Sequence, residues 1–175
     1  MKSNLTEHQL LMWIGQQVYP QVPLYNLPFT FTISGAIEKK CFQTAFQALV
    51  TQSDALRTVI HEVDGVPQQT VIQSMPYHME YLDFSEQPTP HLAAKAWMSE
   101  HSAILFEFGK RLFDSALLKI SDNQFIWYFK IHHIILDGWS YPLFFQKVAE
   151  FYQQALNGPA DKPVALPRFE DYVAY

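Results

Sequence analysis

The chain lacks several features that would place it in familiar classes. It has one cysteine in 175 residues, so no internal disulfide can form. Charged residues make up only 17%, with a net charge of −5 and no basic run, which argues against a nucleic-acid partner. Glycine is scarce, at six residues. No Gly-rich loop stands between a strand and a helix, so a nucleotide-binding reading has no motif behind it. No apolar run approaches the ~20 residues needed to span a bilayer. The opening Met1-Lys2-Ser3-Asn4-Leu5-Thr6-Glu7-His8 lacks the apolar core of a signal peptide. These absences predict a cytoplasmic protein with no membrane partner.

What is present is apolar and aromatic. Hydrophobic residues reach 49% and aromatics 15%, with 14 phenylalanines, which excludes intrinsic disorder. The length fits one compact domain. Thr6 and Gln9 form a capping-box pattern, and Leu10, Leu11, Ile14 and Val18 fall on one helical face that should end before Pro20. Leu27–Ser34 alternates as a half-buried strand does. A helix is predicted over about Ala36–Gln52, with Ile37, Cys41, Phe42, Ala45, Phe46 and Leu49 on its apolar stripe, and Cys41 reads as a small core residue. Asp64-Gly65 marks a two-residue hairpin. Met79–Leu82 is a short strand, and Thr89-Pro90 opens a helix carrying Leu92, Ala93, Ala96 and Trp97 on one side. Phe113–Ile120 and Gln124–His132 form a long hairpin whose second arm is apolar on both faces, as a central strand is. A last helix runs from about Trp139 to Leu156 and stops at Asn157-Gly158. This order predicts an α/β fold, a mixed β-sheet packed with helices.

The segment Ile131-His132-His133-Ile134-Ile135-Leu136-Asp137-Gly138-Trp139-Ser140 joins the central strand to the last helix. Adjacent strand residues point to opposite faces, so one histidine should face a cleft and the other the packed interior. Three readings follow from the residue types. A histidine can hold or move a proton at neutral pH, with a carboxylate bracing its loop. Histidine and aspartate can also bind a metal, but no His-x-His or His-Glu-x-x-His spacing supplies a third ligand. The pair can equally be core histidines with an N-capping aspartate. The other histidines, His8, His61, His78, His91 and His101, have no motif around them.

The pattern His132-His133-x-x-x-Asp137-Gly138 resembles the signature of nonribosomal peptide synthetase condensation domains, within the chloramphenicol-acetyltransferase-like superfamily. Two further segments match in order. Thr6 to Trp13 resembles the family's opening Ser-x-Ala-Gln-x-Arg-Leu/Met-Trp; Gln9, Met12 and Trp13 match, and Leu11 stands where arginine is usual. Gln52-Ser53-Asp54-Ala55-Leu56-Arg57-Thr58 resembles Arg-His-Glu-x-Leu-Arg-Thr. Tyr25-Asn26-Leu27-Pro28 and Phe106-Glu107-Phe108 resemble further landmarks.

The resemblance implies a two-layer chloramphenicol-acetyltransferase-like lobe. Residues 1–158 would be the N-terminal lobe of a two-lobed domain, and residues 159–175, with Phe169, Tyr172 and Val173, a linker and the start of the crossover to a missing C-terminal lobe. It implies amide formation between a donor acyl or aminoacyl thioester and an aminoacyl acceptor. Both would ride on the phosphopantetheine of peptidyl carrier domains, with no tightly bound cofactor and no metal. His133 would be catalytic, as base or as positioning group. His132, Asp137, Gly138 and Arg57 would support it, Asp137 by pairing with Arg57. Losing either partner of such a buried pair costs roughly 3–5 kcal/mol. Taking Met1 as the start leaves no carrier upstream, so a donor delivered in trans or a fatty acyl starter is expected. The face turned to the missing lobe would be exposed, giving a half-open site or self-association. A stand-alone acyltransferase and a non-catalytic interaction lobe are the rival readings.

Overall fold

The computed structural model describes residues 3–136 and 141–158. Helix α1 spans Glu7–Val18, strand β1 Asn26–Ser34, helix α2 Lys39–Gln52, β2 Thr58–Val63, β3 Val66–Val71, β4 Glu80–Asp83, helix α3 Pro90–Ala103, β5 Phe113–Ser121, β6 Gln124–His132 and helix α4 Tyr141–Asn157. A single 3-10 turn, His133–Ile135, follows β6 directly.

Four strands form one mixed sheet in the order β1-β6-β5-β4, antiparallel except for the parallel β4–β5 pair. Strands β2 and β3 make a separate hairpin. Asp64 and Gly65, with φ of 52° and 75°, give its turn the left-handed backbone that matches strand twist.

Strand β6 is central, and its side chains divide by parity. Phe125, Trp127, Phe129 and Ile131 pack with Phe42, Phe46 and Leu49 of α2 and Phe144, Val148 and Phe151 of α4. Ile126 and Tyr128 pack with Ala94, Trp97 and Met98 of α3. Helices therefore cover both faces of the mixed sheet. The phenylalanine-rich hairpin is core, as two-sided apolarity predicts.

Three helical details differ from the sequence pattern. On α1, Leu11, Ile14 and Val18 are exposed, and the helix turns Gln9, Met12 and Trp13 inward instead. On α3, the buried face is Ala94, Trp97 and Met98, while Leu92 is exposed. An apolar side chain left in water costs far less than a poorly filled core face, so the fit to what each helix packs on, the His133–Ile135 turn for α1 and the sheet for α3, sets its rotation. Thr89 does precede Pro90 at the start of α3, but its side chain makes no capping bond. Helix α2 starts at Lys39, capped by the Glu38 carboxylate on the Cys41 N–H. Cys41 itself is half-buried.

Among the charged side chains buried in the described residues, Lys130 is more enclosed than Lys147 or Asp54. Lys130 of β6 is 2% exposed, and its Nζ donates to the carbonyls of His101 and Ile104 at 2.7 and 2.9 Å. Asn26 Nδ2 donates to Ser102 and Ile104 carbonyls at 3.0 and 2.9 Å. These carbonyls lie at the end of α3; that of His101 also takes the Ile104 N–H at 3.3 Å, and the two side chains complete the capping and pin the helix to β6 and β1. Burial pushes the lysine pKa down, and Asp114 across the ladder partly offsets this. Lys130→Met keeps the stem and removes the donors. Thermal and denaturant unfolding should show a loss of about 3 kcal/mol, the lower end of the scale for two hydrogen bonds from a charged group.

Candidate active site

The end of β6 is held from both sides. The His132 N–H donates to the Leu112 carbonyl at 2.8 Å, toward β5, and the His133 N–H donates to the Tyr25 carbonyl at 2.8 Å, toward β1. At His133 the extended backbone turns into the 3-10 helix, closed by the Leu136 N–H on the His133 carbonyl at 3.3 Å. Strand alternation alone therefore does not separate the two histidines. The strand ends between them.

Their environments are opposite. His132 is 2% exposed and surrounded by the rings of Tyr25, Phe106 and Phe108, with centroids 5.8, 6.3 and 5.4 Å away. Its Nδ1 accepts the Ile134 N–H at 3.1 Å. The neutral ring therefore carries its proton on Nε2, which has no partner among the described residues. Burial first, and then the neighbouring His133, hold its pKa down at about 4. His133 is half-buried, and its Nδ1 lies 2.7 Å from the Leu136 carbonyl. A carbonyl only accepts, so Nδ1 carries the proton and the lone pair is left on Nε2. The pair thus splits into a neutral packing ring and a ring with a basic nitrogen.

The other predicted supports stand as follows. Arg57 follows α2, and its Nη1 donates to the carbonyl of Ile72 at 2.7 Å, beside the end of β3. Its own carbonyl accepts the Ile72 N–H at 3.0 Å. Asp137 and Gly138 lie outside the described residues, as does the 159–175 segment. Among the described residues no group of three His, Cys, Asp or Glu stands at metal-binding spacing, and no helix is long and apolar enough to cross a membrane.

Sequence reasoning missed three groups that shape this loop. Gln9 is 6% exposed, and its Nε2 donates to the Ile134 carbonyl at 3.0 Å. The carbonyls of Tyr25 and Leu136 each accept a hydrogen bond from His133. Gln9 was visible as a cap, and its Oε1 does accept the Thr6 N–H at 2.9 Å. Nothing local marks its bond to a residue 125 positions away.

A family model described as "Condensation domain" matches residues 2–175. The chain belongs to the condensation domain family. It is 35% identical over 156 residues to the isonitrile lipopeptide synthase of Streptomyces coeruleorubidus, covering 88% of this chain and 10% of that protein. To the dimodular nonribosomal peptide synthase of Bacillus subtilis (strain 168) it is 29% identical, covering 93% of the chain and 7% of the relative. The starter condensation domain of rhizomide synthetase RzmA matches its fold with a TM-score of 0.91 at 30% identity, over 97% of this chain and 43% of the solved one. A doubly substituted form of that domain, solved with C8-CoA and Leu-SNAC, matches with the same TM-score at 29% identity, over 97% of this chain and 39% of that one. This condensation domain chain thus spans less than half of the solved domain it matches.

The depressed pKa of His132 has a consequence for stability. Between pH 6.5 and about 4 the unfolded chain binds a proton that the folded chain refuses, so stability rises with pH across this window. The contribution is complete above pH 6.5 and is lost as pH falls toward 4. At 1.4 kcal/mol per unit the full loss is roughly 3 kcal/mol. His132→Asn keeps an acceptor for the Ile134 N–H and cannot titrate. Urea melts from pH 7 to 4 should show a flatter acid slope for the variant than for the wild type.

Proposed function

We propose that this chain is the His133-bearing lobe of a condensation domain that forms an amide between a carrier-bound acyl donor and a carrier-bound aminoacyl acceptor. The observation that carries the reading is the tautomer of His133. With Nδ1–H committed to the Leu136 carbonyl, Nε2 presents a lone pair that can accept a hydrogen bond or a proton from an attacking amine. As the C–N bond forms and the C–S bond of the donor breaks, the proton passes from nitrogen to Nε2 or to the departing thiolate, which is released as thiol. An amine that arrives neutral needs only to be held in line by Nε2, a contribution of orientation. One that arrives as ammonium needs the base. His132, with its low pKa and enclosed ring, takes no part in this step and serves the fold.

A fatty acyl donor draws support from relatives. The RzmA domain is described as a starter condensation domain, and one structure of it holds C8-CoA with Leu-SNAC. A short acyl thioester and an aminoacyl thioester are the substrate classes we assign here. Their carrier in the intact synthetase would supply the phosphopantetheine arm. The half-buried His133 fits a histidine on a lobe surface whose cleft is closed by a second lobe. We read residues 159–175 as the crossover toward it. Asp137 we assign to bracing the loop against Arg57, whose guanidinium is already fixed on the Ile72 carbonyl.

Two measurements test the assignment in the intact two-lobed parent, with loaded donor and acceptor carriers and mass-spectrometric detection of the condensed product. His133→Ala should abolish condensation while leaving the circular dichroism and melting temperature of the protein unchanged; normal product formation would reject His133 as the working residue. Asp137→Ala should lower the melting temperature along with the rate. An unaltered melting temperature with a lost rate would move Asp137 from bracing to chemistry.

A further inference from the structure

A chain of amides runs from the N-terminal segment to the loop that carries His133. Gln69 Nε2 donates to the Asn4 carbonyl at 3.0 Å, and Gln69 Oε1 accepts from Gln9 Nε2 at 3.0 Å. The same Gln9 nitrogen donates its second proton to the Ile134 carbonyl at 3.0 Å. Gln9 Oε1 takes the Thr6 N–H, so both amide protons and the amide oxygen of this buried side chain are in use. The Ile134 carbonyl sits inside a one-turn 3-10 helix, whose own closing bond uses the His133 carbonyl instead. A buried carbonyl in that position needs a donor from elsewhere, and Gln9 supplies it.

Helix α1 meets the loop a second time. Tyr25 gives its carbonyl to the His133 N–H and its ring to the wall around His132. The Tyr25 phenol packs directly on Gly15 of α1, where any Cβ would collide with the hydroxyl. A glycine inside a helix costs roughly 0.5–1 kcal/mol relative to alanine, and here it makes room for that contact. One helix therefore touches the His133 turn through Gln9 and, two turns along, supports its other anchor through Gly15.

We infer that α1 sets the orientation of the His133 ring and that Gln9 is a positioning residue for the reaction. The link is geometric. The His133 ring is fixed by its bond to the Leu136 carbonyl, two residues beyond Ile134 in the same turn. If the Ile134 peptide is free to rotate, the Leu136 carbonyl moves against the ring and the Nδ1–H bond weakens. His133 then samples the tautomer with its proton on Nε2, which cannot accept from an amine. Glutamine suits this position because it offers two donors and one acceptor at a fixed spacing. Glutamate of the same shape would turn a second acceptor toward the Ile134 carbonyl and Gln69 Oε1 until it takes up a proton.

This inference rests on the reading of His133 as the working histidine, and the test separates the two. Uniformly ¹⁵N-histidine-labelled chains carrying Gln9→Met or Gln9→Glu are compared with wild type by NMR of the ring nitrogens, beside thermal melts. Kinetics are measured in the intact parent. In Gln9→Met the His133 Nδ1 and Nε2 shifts should move toward each other, with kcat lower by roughly tenfold to a hundredfold and KM for the acceptor carrier within twofold of wild type. Gln9→Glu should behave alike at neutral pH and recover the wild-type His133 shifts toward acid pH, as the introduced carboxyl takes a proton. If Gln9→Met does not fold, that acid recovery in Gln9→Glu decides the matter. His133 shifts that stay at wild-type values in either folded variant overturn the inference, even with a reduced rate. An active His133→Ala parent would instead overturn the functional reading and leave the NMR result to judge Gln9 alone.

Discussion

The structure depends on how a fully buried strand ends. β6 is paired on both edges and packed on both faces, with eight of its nine residues buried. Such a strand cannot simply run out into solvent, because its last amide groups would be left without partners. Leu112 gives a carbonyl to the N–H of its last residue, His132, and Tyr25 gives one to the N–H of His133, the first residue beyond it. The chain then closes into a single 3-10 turn. Each histidine ring pairs with a backbone group of that turn, His132 as acceptor and His133 as donor. The chemistry of the site is set by this termination: one ring is sealed in and held neutral, and the other emerges with a defined basic nitrogen.

The remaining architecture holds that end in place. Helices α2 and α4 and helix α3 pack on opposite faces of the sheet, so β6 cannot shift without disturbing both aromatic layers. Lys130, two residues before His132 and on the same face, ties the end of α3 to the strand through buried carbonyl contacts. Helix α1 leaves Leu11, Ile14 and Val18 exposed and packs Met12 and Trp13 on the core, while Gln9 makes a polar contact with the turn. Stability in this lobe comes from the aromatic layers, and the polar side chains locate the site upon them.

Much of this was legible in the residues. Period-two alternation placed β1, two-sided apolarity placed β6 at the centre, and Asp64-Gly65 placed the β2–β3 turn. The adjacent histidines and the Asp-Gly that follows marked the junction. Other features could not be read locally. The parallel pairing of β4 with β5 depends on α3 crossing between them. The outward faces of Leu11 on α1 and Leu92 on α3 follow from the fit of α1 to the His133–Ile135 turn and of α3 to the sheet, which outweighs a few apolar side chains left in water. Lys130 went unremarked in a strand read as apolar on both faces, and its partners come from the end of a helix 26 to 29 residues away. Ring tautomers are set by which backbone group each nitrogen meets, and that requires the turn itself.

The central claim is that the two histidines occupy opposite tautomers because a single backbone turn meets them differently. Ring ¹⁵N NMR of the wild-type chain with labelled histidine, recorded at pH 7 with one-bond couplings resolved, tests it most directly. The account predicts His133 protonated on Nδ1 with a non-protonated Nε2, and His132 protonated on Nε2 with a non-protonated Nδ1. Finding the proton of His133 on Nε2, or both rings in the same tautomer, would contradict it.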